Sequence, residues 1–247
     1  MSLKTTNLTT IIQKQFRYKM TAYIDSFLTL LFIQLLALLF SLNGTGSFGT
    51  GNNVVHVSLD YYNADVFIMF TFVWGFVTGI VITTKPYRLG DYVYVANRTS
   101  SHVANWLYLL TASMFAGSTA ILSGSLLKFA ILMFSSKQLY VTSEMSASSE
   151  LALGIVVTSM YVFLFCALGY TCGMIVQSNR LFVIVLPVLF IGDLFIHLEN
   201  DTTSWIVSFF SLFFSEASLP IFIGKIAVVS LSLFFLSFLL SNRLEVR

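Results

Sequence analysis

Apolar stretches separated by short polar ones set the rhythm of this chain. Six of them, residues 24–42, 64–83, 104–134, 151–176, 181–198 and 221–240, approach or exceed the roughly 20 mostly apolar residues that a helix needs to cross a bilayer. The third is longer than a hydrocarbon core requires, so it must tilt, protrude or break. A seventh apolar stretch, residues 205–219, is shorter and carries Glu216 ahead of Pro220. The pattern predicts a re-entrant or interfacial segment over 203–220 rather than a span.

Ahead of the first span, residues 7–23 read NLTTIIQKQFRYKMTAY. Leu8, Ile11, Ile12, Phe16, Met20 and Tyr23 recur at helical spacing, with Gln13, Lys14, Arg17 and Thr21 on the other face. Asn7 suits the cap position. A basic amphipathic helix of this kind lies along the membrane interface. The predicted fold is therefore all-α. It is an integral membrane protein with six transmembrane helices, an N-terminal amphipathic interfacial helix and an external re-entrant hairpin before the sixth span.

Composition strengthens this reading. Of 247 residues, 57% are hydrophobic and 10% are charged, against about 25% charged in soluble domains. The first twenty residues hold four cations and no apolar core, so no cleavable signal is expected there. A net charge of +2 gives no reason to expect nucleic acid as a partner. The placement of the charges says more. With six spans, Lys4, Lys14, Arg17, Lys19, Lys85, Arg88, Arg98, Arg180, Arg243 and Arg247 share the side of the termini, and only Lys137 lies opposite. Cytoplasmic loops carry the excess of Lys and Arg, so both termini are expected in the cytoplasm.

Residues 41–53, SLNGTGSFGTGNN, contain a G-x-G-x-x-G at Gly44, Gly46 and Gly49. A dinucleotide site needs a strand before such glycines and a helix opening after them. Here they follow a span and fall outside the cell, which predicts a flexible linker. Cys166 and Cys172 sit in one apolar run and are expected to serve packing. Small residues recur at Ala112, Ala116, Ala120 and Gly124, and again at Gly169 and Gly173. Such positions let membrane helices approach closely, within one chain or between two.

Chemistry is sparse. No G-x-x-x-x-G-K-[ST] or H-E-x-x-H occurs, and His56, His102 and His197 fall in separate loops or boundaries. No catalytic residue, metal or cofactor is expected. Three charges fall inside apolar runs: Lys128, Asp193 and Lys225. Intramembrane charges pair, snorkel or carry function. Asp193 is expected to pair with Lys225 or Lys128. The longest cytoplasmic connection, residues 84–103, mixes Arg88, Asp91 and Arg98 with Tyr87, Tyr92 and Tyr94, the makings of a docking surface.

The interfacial entry helix, six spans, a substantial loop after the second and an apolar hairpin before the sixth resemble the permease subunit of ABC-2 type transporters. The segment ANRTSSHVANWLYLL, residues 96–110, looks like the loop-to-span junction of bacterial members. The resemblance implies a bacterial plasma-membrane permease that performs no chemistry itself and exports by alternating access. Its implied partners are a cytoplasmic ABC ATPase subunit, a second permease copy or related permease, and membrane lipid. It implies that Lys14, Arg17, Arg88, Asp91, Asn97 and Arg98 couple the permease to the ATPase. An amphipathic peptide, a drug or a lipid would each suit as substrate. A stand-alone secondary transporter and an intramembrane enzyme are the alternatives; paired acids and clustered histidines, which the second would favour, are missing from the sequence.

Overall fold

A computed structural model describes residues 8–42, 46–52, 55–61, 64–92, 98–134, 148–200, 204–216 and 218–243. The expectations placed on Lys4, Asn7, Gly44, Asn97, Lys137 and Arg247 lie outside these residues. The order of elements is α1 (Leu8–Ala22), α2 (Ile24–Leu42), β1 (Gly46–Asn52), β2 (Val55–Tyr61), α3 (Asp65–Thr83) and α4 (Lys85–Tyr92). There follow α5 (Arg98–Phe134), α6 (Ser148–Ser178), α7 (Phe182–Asn200), α8 (Trp205–Phe214) and α9 (Leu219–Arg243).

The chain is a helical, multi-pass membrane protein. Among the described residues, 5 helices are long and apolar enough to cross a membrane: Ile24–Leu42, Asp65–Thr83, Thr99–Met133, Ser149–Ser178 and Leu219–Ser241. The predicted fifth of six spans falls in α7, where the apolar part of the described helix is the shorter Phe182–Asp193. Of the three fates open to the overlong third span, breaking is ruled out. Helix α5 is continuous over 37 residues, about 55 Å at 1.5 Å per residue.

The glycine-rich stretch is not a linker. Strands β1 and β2 pair antiparallel, from Gly46 opposite Tyr61 to Asn52 opposite Val55. Gly46 and Gly49 therefore lie within a strand of the hairpin, and the strand-then-helix setting of a nucleotide site is missing. The signal was the alternation of Val55, Val57, Leu59 and Tyr61, the period of a strand with two unlike faces.

The described contacts divide the chain into two units. The first comprises Arg17–Gly75 and Tyr108–Phe163. Its core gathers Ala37, Phe67, Leu127 and Ile131 from α2, α3 and α5. Polar cross-links join the same helices. The Gln34 amide nitrogen donates to the hydroxyls of Thr71 at 3.3 Å and Thr119 at 3.0 Å. The Trp74 indole donates to the Ser26 carbonyl at 3.1 Å. The small-residue stripe of α5 packs within the chain: Ala112, Ala116 and Ala120 are fully buried. A Cβ on Gly124 would come within 2.9 Å of that of Ala64.

The second unit comprises Met1–Phe16, Phe76–Leu107 and Leu164–Arg247. Here α3 and α6 touch backbone to backbone. A Cβ on Gly79 would lie 2.8 Å from the Tyr170 nitrogen, and one on Gly169 2.9 Å from the Phe76 carbonyl carbon. A Cβ on Gly173 would lie 3.2 Å from Ile80 Cα. Only glycine admits such approach. Both small-residue patterns are thus used inside the chain.

Candidate functional site

Helix α3 ends at Thr83, and α4 starts two residues on at Lys85. Pro86 at the second position explains why α4 can begin there, since the first turn lacks intrahelical N–H partners in any case. The Thr84 hydroxyl donates to the Val81 carbonyl at 2.7 Å, and the Arg88 N–H donates to the Thr84 carbonyl at 3.1 Å. The stretch predicted as a docking loop is therefore partly an eight-residue helix.

Arg88 fastens it. Its guanidinium donates to the Gln177 side-chain carbonyl at 2.5 Å. The Gln177 amide donates in turn to the Thr83 backbone carbonyl. The last carbonyls of a helix lack partners within it, so Thr83 gains an acceptor role that α3 itself cannot supply. One side chain at the end of α6 thus holds both the end of α3 and the side chain that positions α4. This changes the reading of Arg88, whose guanidinium is engaged inside the chain and not simply offered to a partner.

Two turns inward along α6, a second polar chain crosses between helices. Asn105 of α5 donates to the Tyr170 hydroxyl oxygen at 3.3 Å, and that oxygen is 2.7 Å from Nδ1 of His102. With Asn105 donating in, the Tyr170 hydrogen is free to go to Nδ1 as an acceptor. Aromatic rings wall this chain. His102 meets Phe238 edge-on at 5.6 Å, and Tyr170 lies 5.4 Å from Phe234. Ser237 of α9 also donates to the Thr171 hydroxyl at 3.2 Å. Helices α5, α6 and α9 are therefore bound together by polar bonds inside an aromatic layer.

The other candidates are dispersed. Lys14 and Arg17 are exposed on α1. The buried side chains of that helix are Gln15 and Lys19, followed by Tyr23 in the turn after it, and Leu8, expected on the apolar face, is exposed. The amide atoms of Gln15 have no hydrogen-bond partner. Asp91 and Arg98 fall in α4 and α5, but their side chains are not among those described. Lys128 is exposed on α5.

Asp193 and Lys225 do not pair with each other. Buried Asp193 accepts from the Ser204 hydroxyl. The Ser204 oxygen also caps α8, accepting from the N–H groups of Ile206 at 3.1 Å and Val207 at 3.3 Å. Lys225 forms an ion pair with Glu216 and donates to the Leu212 carbonyl at 3.4 Å. Chain proximity decides this. Glu216 lies in the turn before α9, while Asp193 meets the capping hydroxyl of Ser204 at the start of α8, a helix end that favours negative charge.

Sequence reasoning overlooked Gln177, Tyr170, Asn105 and Ser204. Three of them had a signal. Tyr170 and Gln177 are seven residues apart on α6, and His102 and Asn105 three apart on α5, spacings that put each pair on one helix face. No group of three or more His, Cys, Asp or Glu side chains is gathered as for a metal among the described residues. No protein-family model, curated protein or solved structure matches the chain.

Proposed function

We propose that this chain is the membrane-spanning subunit of an ATP-driven exporter, docking a cytoplasmic ATPase through α1 and α4 and forming its path with a second permease of the same or a related kind. The observation that carries this reading is the clamp of α4. A short helix at the end of one span, fixed through Arg88 and Gln177 to another, can transmit a push on its outer surface to both. Exposed Lys14, Arg17 and Lys85 then offer the docking charges, and Arg88 acts as a positioning residue. The placement of Lys and Arg supports a cytoplasmic location for both termini and for α4. This topology takes α7 as the fifth of six spans, α9 as the sixth and α8 as the re-entrant segment between them. Ten residues of α8 reach about 15 Å, half a hydrocarbon core.

The test is in-cell photocrosslinking from positions 14, 17 and 85, with each adduct identified. An adduct with a protein bearing a nucleotide-binding phosphate loop, whose ATP turnover changes on co-reconstitution, is the expected result. If none of the three positions captures an ATPase, the exporter reading fails. For sidedness, Cys166 and Cys172 are first replaced by Ala. Cysteines at Ser47 and Ser146 should then label from outside, and one at Ser178 should not.

The His102–Tyr170–Asn105 chain favours a second reading, a stand-alone transporter coupled to protons, because a hydrogen-bonded phenol and imidazole can hand a proton between them. Proton-driven uptake or efflux in vesicles holding this chain alone would select it.

A further inference from the structure

Helices α8 and α9 leave between them a cleft of about 450 Å³ lined by Leu212, Phe213, Gly224, Lys225, Val228 and Val229. The volume falls in the range of ligand sites, about 300–1,000 Å³. Five of the six lining residues are apolar. A Cβ built on Gly224 meets nothing within 4 Å, so the missing side chain is part of the opening. Phe213 forms a buried wall at 3% exposure, whereas Leu212 and Val228 are exposed.

Its one polar edge is unusual. Lys225 lies about 9 Å past the start of α9, within an apolar run where a lone ammonium is costly. Its head reaches Glu216, which precedes the helix, and the carbonyl of Leu212 in the last turn of α8. The edge therefore presents a cation and an anion side by side, each partly exposed, 39% and 22% at the side chain. That pair mirrors a zwitterionic lipid headgroup, whose phosphate and ammonium carry the opposite order of charge.

We propose that this cleft binds a zwitterionic membrane phospholipid, with one acyl chain along Phe213, Gly224 and Val228 and the headgroup at the Lys225–Glu216 pair. The phosphate meets Lys225 and the headgroup ammonium meets Glu216, so neither protein charge loses its counter-charge. A net anionic lipid would satisfy Lys225 and repel Glu216. The site is independent of any ATPase.

The experiment reconstitutes the full chain in vesicles of phosphatidylethanolamine and phosphatidylglycerol, doped with phosphatidylethanolamine bearing a photoactivatable acyl chain. Adducts are mapped by residue. Labelling at Leu212, Phe213, Val228 and Val229 should exceed that at Val183 and Ile184 of α7, whose side chains are also exposed. Gly224→Leu, whose Cβ meets open space, fills the opening and should lower cleft labelling by about tenfold, with α7 labelling unchanged. Val228→Trp should do the same by a different substitution. Glu216→Gln should shift labelling toward an anionic photolipid, a change that a purely structural pair would not produce. Equal labelling of the cleft and α7, or no response to both filling variants, overturns the proposal. So does a disulfide-linked dimer through Val228→Cys in a background without Cys166 and Cys172, which would seat a second copy in the cleft.

Discussion

Two contacts within one unit of this molecule are held by different means. Between α3 and α6, Gly79, Gly169 and Gly173 bring backbones within van der Waals distance. At the junction of α7 and α8, no described glycine is approached so closely. A Cβ at Gly192 meets open space, and most described side chains of α7 are exposed. That junction relies on the Ser204–Asp193 bond and a ring contact between Phe190 and Trp205 at 6.0 Å. Lipid tails are as apolar as leucine, so burial alone gives helices little reason to associate in a bilayer. Dispersion between closely fitted backbones or a directional polar bond must do it instead. The first needs several small residues in register; the second needs one donor and one acceptor.

The comparison breaks first at Gly169. Gly169→Leu forces a side chain into the Phe76 carbonyl, and neither backbone can yield locally. A loss of ~3 kcal/mol or more is expected, at the upper end of overpacking. Gly192→Leu on α7 should stay within about 0.5 kcal/mol, as for surface changes. Unfolding of both variants in detergent micelles measures the difference. Equal effects would show that the close approach of α3 and α6 is not what holds the unit.

A smaller effect is expected at Gln177. Gln177→Leu removes the acceptor of Arg88 and the donor to Thr83 together, at a cost of about 2 kcal/mol. Hydrogen exchange should rise over α4, residues 85–92, while the α3–α6 glycine contact stays protected. Loss of protection along α3 and α6 as well would make the clamp, not the glycines, the main fastening.

Ser204→Ala tests the other side of the comparison. It deletes the α8 cap and the donor to Asp193, costing ~1 kcal/mol. Its exchange signature should be confined to the first turn of α8 and its neighbour α7. A change spreading to α3 would contradict the separation between the two contacts. A small effect is also expected of Gln34→Leu, in the other unit. Interhelical hydrogen bonds within membranes average about 0.6 kcal/mol, and leucine restores packing volume, so a shift no larger than that is expected in the same micelle assay.

The sequence alone determined where the long apolar helices form and that they belong in a membrane, because apolar run length and charge exclusion act residue by residue. The spans 24–42 and 64–83 coincide with α2 and α3, apart from one terminal residue in the second. The entry helix over 7–23 was legible from its spacing for the same reason. Small residues at four-residue intervals marked the close contacts but could not say which helices met. Tertiary structure decided the partners. It set Arg88 on Gln177, Asp193 on Ser204 and Lys225 on Glu216, which removes Lys225 from the two lysines expected to meet Asp193. It also paired the glycine stretch into a hairpin. A hydrogen bond or ion pair depends on distances of a few ångströms between atoms far apart in the chain, and periodicity carries no such distance. Only the packed helices fix which polar groups come within reach.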